Sequence, residues 1–240
     1  MTDKKFLDQK MDRREFLKKS GIGGAGLALG LSGASAFFAN QDRSSKKALD
    51  GDEDISFFGK HQAGITTPMQ KACYLVVLDL HTTDKKEVIQ LFKDWTDYSS
   101  KLVEGELVKK DGSNALLPPT DTGETVGLNP YRLSLTFGVS ADFLKKLGLE
   151  SKRPKLFRDL PPFPKEQLQD KYTGGDIVIQ ACADDEQVAF HAVRNLIRKG
   201  RNKITMKWSK SGFAAIGDRK ETPRNLFGFK DGTANVTKEK

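Results

Sequence analysis

From about residue 72 onward, segments with the apolar pattern of β-strands alternate with segments in which apolar residues recur at helical spacing. Four short runs are rich in apolar and β-branched residues, which is typical of strands with a buried face. These runs are Ala72 to Leu80, Tyr131 to Val139, Asp176 to Ala183 and Lys203 to Ile216. They predict four β-strands.

Between these runs, apolar residues recur at helical spacing. Asp84 is the predicted N-cap of the first helix, with Glu87 three residues later as in a capping box. Either Asp184 or Asp185 begins the second helix, which stops at Gly200. The apolar positions that define the two helical faces are Val88, Leu91, Phe92, Trp95 and Leu102, then Val188, Ala189, Ala192, Val193, Leu196 and Ile197. A shorter helix is predicted from Ser140 to Gly148, and an irregular proline-rich insertion from Pro154 to Pro164.

The order of elements is strand, helix, strand, strand, helix, strand. This is the split βαβ, ferredoxin-like plan of the α+β class. It predicts an antiparallel four-stranded sheet with both main helices on one face. The other face is left free to bury a ligand, a second domain or a partner.

The N-terminal residues have the pattern of an export signal. Arg13 and Arg14 precede an uncharged, glycine-rich stretch from residue 21 to residue 39, which contains the small-residue site Ala34-Ser35-Ala36. Paired arginines before a weakly hydrophobic segment are typical of twin-arginine signals. We predict a signal peptide over 1–36, a polar linker over 37–56 and a folded part over 57–240. The alternative is that the apolar stretch is retained as an uncleaved anchor.

Composition excludes several classes of protein. The 240 residues include 37% hydrophobic residues, enough for a buried core. Two Cys and three His leave no cluster with zinc spacing and no disulfide scaffold. The net charge of +8 is not gathered into a basic stripe with interleaved aromatics, so no nucleic-acid partner is expected.

The segment Gly228-Phe229-Lys230-Asp231-Gly232 is the strongest candidate site. Glycine allows a backbone to approach a flat ligand closely or to adopt positive φ, but a glycine-flanked Asp taken alone is more often a turn residue. Two further pairs of residues, two cysteines and two aromatics, have side chains with redox chemistry. Cys73 and Cys182 lie in strand runs, where we expect buried, inert thiols, although sheet neighbours can approach bonding distance. Trp208 and Tyr172 are expected to be ordinary aromatics, with electron relay as the alternative.

Four segments together resemble the dye-decolorizing (DyP-type) haem peroxidases. They are Phe58 to Pro68, Gly174 to Asp185, Phe190 to Leu196, and Gly228 to Asn235. The resemblance runs from about residue 57 to residue 235 and is greatest for the exported, iron-uptake-associated branch described as deferrochelatases. It implies a haem peroxidase that uses hydrogen peroxide to oxidise bulky organic substrates, or that recovers iron from haem. The twin-arginine translocase, membrane iron-uptake components and a second copy of the chain are the partners it suggests.

The resemblance also assigns roles to individual residues. It implies haem b as the cofactor, Asp231 as the catalytic residue on the distal side, and Gly232, Thr233 and Ala234 lining the haem. A carboxylate at hydrogen-bond distance from peroxide can carry a proton from one oxygen to the other, which fits Asp231.

One part of the family pattern is not completed in this sequence. The family requires a proximal histidine as the iron ligand, and the chain ends nine residues after Asp231. None of His61, His81 or His191 stands at that motif position, so we expect surface or core roles for them and no metal ligand in this chain. We therefore expect the chain to be the N-terminal portion of such a peroxidase. The alternatives are a non-catalytic ferredoxin-like binding module or an inactive truncated product.

Overall fold

The structure is a computed structural model that describes residues 55–109, 117–214, 224–230 and 232. The predicted signal peptide and residues 37–54 of the predicted linker lie outside the described residues. Within the described part, no helix combines the length and the apolar composition needed to cross a membrane.

The described residues form one antiparallel four-stranded sheet. Its strands are β1 (Ala72–Leu80), β2 (Ser134–Val139), β3 (Ile177–Ala183) and β4 (Ile204–Phe213), in the order β2-β3-β1-β4. The two central strands are therefore β3 and β1. The connection from β1 to β2 passes over β3, and the connection from β3 to β4 passes over β1. This topology confirms the predicted α+β, ferredoxin-like sheet.

Three α-helices connect the strands within the described ranges: α1 (Lys85–Val103), α2 (Ala141–Lys146) and α3 (Glu186–Gly200). Two short 3-10 helices, Glu150–Lys152 and Asp170–Tyr172, lie in the irregular connection before β3. The predicted insertion is thus present between α2 and β3.

The helix caps follow the sequence prediction with two refinements. Asp84 caps α1 by accepting a hydrogen bond from the backbone N–H of Lys86, but Glu87 accepts from the Thr82 hydroxyl instead of returning to the cap. Asp185 caps α3 through the N–H of Val188. Asp184, the other candidate, lies just outside the helix and accepts from Arg132.

The core lies between one face of the sheet and the helices α1 and α3. Alternate residues of β1 and β3 point into it, and Val76 and Ile179 are fully buried. Trp95 of α1 fills the centre, where its indole N–H donates to the carbonyl of Leu196 at 2.8 Å and its ring stacks on Phe137. A buried indole with its donor satisfied combines a large apolar contact with no unpaired polar group.

β2 is three residues shorter than the apolar run that predicted it. Tyr131 and Arg132 have φ values of 45° and 54°, which an extended strand cannot contain. Arg132 is held there by its ion pair with Asp184, in which Nη1 and Oδ2 are 3.1 Å apart. The strand therefore begins only at Ser134, because a contact with a residue far along the chain turns the backbone before it.

The segment that precedes β1 covers the edge strand β2. The Gln62 side-chain amide both donates to the carbonyl of Phe137 and accepts from its N–H, so it replaces a missing neighbouring strand. Next to it, the Thr136 hydroxyl donates to the carbonyl of Ala63 at 2.6 Å. Gly64 follows with φ 94°, and a Cβ on it would lie 2.0 Å from Thr136 Oγ1. Glycine is therefore required at position 64 for both backbone and steric reasons.

We predict that Gly64→Ala destabilises the fold more than Gly127→Ala does. Both glycines have positive φ, of 94° and 83°, but a Cβ at Gly127 meets nothing within 4 Å. Gly127→Ala is the control, and it should lower the free energy of unfolding only by the backbone strain, roughly 1–2 kcal/mol. Gly64→Ala must also displace Thr136 and lose its hydrogen bond, which adds about 0.5–1.5 kcal/mol or more. Urea unfolding followed by circular dichroism measures both, and equal losses of stability would contradict the role given to Thr136.

Candidate functional site

The described part of the G-x-x-D-G segment forms a tight turn. Arg224 and Lys230 face each other in an isolated antiparallel bridge, and the N–H of Gly228 donates to the carbonyl of Asn225 at 2.9 Å. The Asn225 side-chain oxygen accepts from the backbone N–H groups of both Phe227 and Phe229. Gly228 has φ 85°, a conformation that strongly favours glycine. Asn225 and Gly228 thus shape this turn locally.

The turn exposes large apolar side chains. Leu226 is 90% exposed, Phe227 88% and Phe229 70%. A Cβ on Gly228 would meet nothing within 4 Å, so the backbone there is also open. Contiguous exposed apolar groups of this size are typical of a surface that receives a ligand or another domain.

The structure describes only one of the four predicted site residues. Gly232 is exposed and has φ 76°. Asp231, Thr233 and Ala234 lie outside the described residues. Their assigned roles therefore stay predictions.

The sheet face opposite the helices is only partly covered. Residues of β1 and β3 that alternate with the core positions lie on it. Val178 and the two cysteines are half-buried there, whereas Val77 is buried. Trp208 of β4 pairs with Val77 across the strands. Its indole nitrogen is buried and has no hydrogen-bond partner among the described residues. A buried donor without an acceptor is destabilising, so the indole N–H of Trp208 on this face needs a hydrogen-bond acceptor.

His191 is a buried core residue whose ring nitrogens both have carboxylate neighbours. Its Nδ1 lies 2.7 Å from Glu124 Oε2, and its Nε2 lies 3.5 Å from Asp121 Oδ1. Burial raises the pKa of Glu124, but hydrogen bonds from Thr122 and His191 and the charge of Arg194 outweigh it and lower the pKa to about 2. The network joins the loop before β2 to α3, and it confirms the expected core role of His191.

The other two histidines are exposed. His81 contacts the Thr205 hydroxyl, and His61 lies in the segment that covers β2. No group of three or more His, Cys, Asp or Glu among the described residues is arranged to hold a metal ion.

The two cysteines and the aromatic residues Tyr172 and Trp208 differ in their burial and in their neighbours. Cys73 and Cys182 are direct partners across β1 and β3, which agrees with the alternative that they are sheet neighbours. Both are half-buried, which differs from the expectation of buried thiols. Tyr172 is 50% exposed, and the ammonium groups of Lys171 and Lys210 lie over its ring. Trp208 is half-buried.

Known proteins with similar sequences identify the family to which this chain belongs. The sequence model described as Dyp-type peroxidase, N-terminal, matches residues 62–214. The chain belongs to the Dyp-type peroxidase family. The match covers the whole sheet and its helices and ends before the turn at 224–230.

Curated relatives extend the Dyp-type similarity over nearly the whole chain. A deferrochelatase from Yersinia pseudotuberculosis is 37% identical over 225 residues, which cover 90% of this chain and 51% of that protein. A deferrochelatase from Escherichia coli K12 is 35% identical over 233 residues, which cover 93% of this chain and 53% of that protein. The chain spans about half the length of the curated relatives it matches.

Solved structures of Dyp-type peroxidases share the fold. Ferric DtpA from Streptomyces lividans has a TM-score of 0.69 at 36% identity, covering 80% of this chain and 51% of that one. A DyP-type peroxidase from Streptomyces coelicolor has a TM-score of 0.68 at 36% identity, covering 79% of this chain and 51% of that one. The ferredoxin-like unit described above is therefore the fold of this family's N-terminal domain.

Two residues of the Dyp-type framework were not predicted from the sequence. The role of Gln62 as a substitute strand depends on β2 lying beside it, 75 residues away. Asn225, by contrast, has a local signal, because an Asn three residues before a Gly is a common turn pattern.

Proposed function

We propose that this chain is part of a haem-dependent peroxidase of the dye-decolorizing type, using hydrogen peroxide to oxidise bulky substrates or to recover iron from haem. The observation that carries the proposal is the similarity of 35–37% to deferrochelatases over at least 90% of the chain. The S. lividans relative was studied in ferric and oxyferrous forms, which supports an iron cofactor. The cofactor proposed here is haem b.

The described residues fit a flat apolar group such as haem. Phe227 and Phe229 present exposed rings, and the open backbone at Gly228 leaves room for close approach. Apolar and aromatic side chains with a few polar groups are the usual lining of cofactor sites. When bound, the haem supplies a redox-active iron that reacts with peroxide.

Asp231 is the residue that handles protons in this proposal. An Asp carboxylate has an ordinary pKa of about 3.9, so it is ionised near neutral pH and can accept a proton from a bound peroxide. It then returns that proton to the other peroxide oxygen, which makes water the leaving group. Gly232, Thr233 and Ala234 are small residues, and in this proposal they line the haem.

A non-catalytic binding module is the second candidate function. A haem peroxidase of this family uses a histidine as its iron ligand, and the surroundings of the three histidines favour other roles for them. His191 is enclosed by Asp121 and Glu124, and His61 and His81 are far along the chain from the turn at 224–230. In this alternative the exposed turn and the half-buried sheet face bind a ligand or a protein without chemistry.

We predict that Asp231→Asn removes peroxide reactivity without removing haem binding. The 240-residue chain is loaded with hemin, the Soret band reports binding, and stopped-flow absorbance reports the reaction with peroxide. Loss of a proton-transferring group typically costs ~10²–10⁴ in rate, and we expect a loss in this range with an unchanged Soret band.

Asp142→Asn, a change at an exposed residue of α2, is the matched control and should leave the rate unchanged. A full rate in Asp231→Asn would contradict the proton-transfer role. Hemin binding with no peroxide reaction in the parent chain would favour the binding module, and no hemin binding would contradict the cofactor assignment.

We also propose that the protein is exported by the twin-arginine translocase and acts in the cell envelope, in contact with iron-uptake components of the membrane. The support is the pair Arg13-Arg14, the glycine-rich apolar stretch after it, and the small-residue site at 34–36.

We predict that changing Arg13 and Arg14 together to Lys blocks export. Lysine keeps the charge, so only recognition of the paired guanidinium groups is lost. The measurement is the fraction of the protein outside the cytoplasm by immunoblot, with Lys18→Arg plus Lys19→Arg as the charge-preserving control. Equal export of the two variants would contradict the assignment.

A further inference from the structure

The cysteines at positions 73 and 182 face each other across the two central strands. The register pairs Cys73 of β1 with Cys182 of β3, flanked by the pairs Ala72–Ala183 and Tyr74–Ala181. Opposite Cα atoms of antiparallel strands are about 4.5–5.5 Å apart, and a disulfide spans Cα separations of ~4.4–6.8 Å. The sheet itself therefore holds the two thiols at a separation that allows a disulfide.

Both thiols are accessible to small molecules. They lie on the sheet face that the helices do not cover, and each is half-buried. Together they line an open cleft of about 440 Å³, bounded by the segment before β1 and by the end of β4 near Gly212. A molecule the size of peroxide can reach the sulfur atoms through this cleft.

The two thiols are chemically unequal. A hydrogen bond from the Cys182 thiol lowers the pKa of Cys73 to about 7, although burial opposes this. The same hydrogen bond and burial raise the pKa of Cys182. Because the thiolate is the nucleophile, Cys73 is the attacking residue near neutral pH and Cys182 is the resolving one.

We propose that Cys73 and Cys182 are a peroxide-reactive dithiol that closes reversibly to a cross-strand disulfide. The Cys73 thiolate attacks one oxygen of hydrogen peroxide, the O–O bond breaks, and a sulfenic acid and hydroxide form, the latter taking a proton to give water. The Cys182 sulfur then displaces the sulfenic hydroxyl, forming the S–S bond while its proton leaves with that hydroxyl as a second water. In total, two thiols are oxidised by two electrons and one peroxide is reduced to two waters. A dithiol reductant then reduces the cross-strand disulfide back to two thiols and is itself oxidised to a disulfide.

This chemistry uses no haem, so it can be tested apart from the proposed peroxidase function. The reduced, hemin-free 240-residue chain is treated with hydrogen peroxide and then analysed by thiol titration and intact mass. We expect the loss of two thiols together with a mass decrease of two hydrogen atoms. Non-reducing peptide mapping should show the peptide of Cys73 linked to that of Cys182, and dithiothreitol should restore both thiols.

Single variants separate the two roles. Cys182→Ser keeps a hydrogen-bond donor at that position, so Cys73 should still react and should accumulate as a sulfenic acid that dimedone traps. In Cys73→Ser, the serine hydroxyl can still accept the hydrogen bond of the Cys182 thiol and that thiol stays half-buried, so it should react with peroxide more slowly than Cys73 does in Cys182→Ser. Circular dichroism checks that both variants are folded.

The parent protein alone can overturn the proposal, even if a variant fails to fold. Oxygen adducts without a linked peptide, disulfides only between separate chains, or thiols that peroxide leaves unreacted in the folded protein would each contradict it. Equal rates for the two single variants would contradict the assignment of Cys73 as the attacking residue.

Discussion

The antiparallel pairing of β1 with β3 is the constraint on which the rest of the structure depends. It aligns Ala72 with Ala183 and Leu78 with Ile177, and so decides which side chains point to the helices and which to the other face. A shift of one residue would move every core side chain out of the core. The same register brings Cys73 opposite Cys182, so the core and the dithiol arise from one set of backbone hydrogen bonds.

The elements of the fold were predictable because their signals are local. Buried strands and one-sided helices carry their period in the sequence, and the predicted β1 and the end of α3 at Gly200 agree with the structure. The start of β2 was not predictable, since the positive φ of Arg132 is held by Asp184, 52 residues further along the chain. The choice between Asp184 and Asp185 as the cap depends on that same ion pair.

The site was predictable as a motif but not as a surface. The glycines of the G-x-x-D-G segment indicated a turn, and Gly228 and Gly232 do have positive φ. That Phe227 and Phe229 are exposed together could not be read from their apolar character, which alone favours burial. The proposal that this exposed surface contributes to a haem site rests on the family similarity, which the single sequence does not contain.

The claim that the exposed turn forms part of a haem site can be tested directly by hemin binding. A Phe227→Ser plus Phe229→Ser variant is compared with Leu156→Ser plus Leu160→Ser, which alters two other exposed apolar residues, 83% and 77% exposed. Burying one such ring contributes about 1.5–3 kcal/mol, so we expect the aromatic variant to bind hemin at least about tenfold more weakly than the parent chain. The leucine variant should bind hemin as the parent does. Equal hemin affinity in the parent and the aromatic variant would contradict a role for this turn in the haem site.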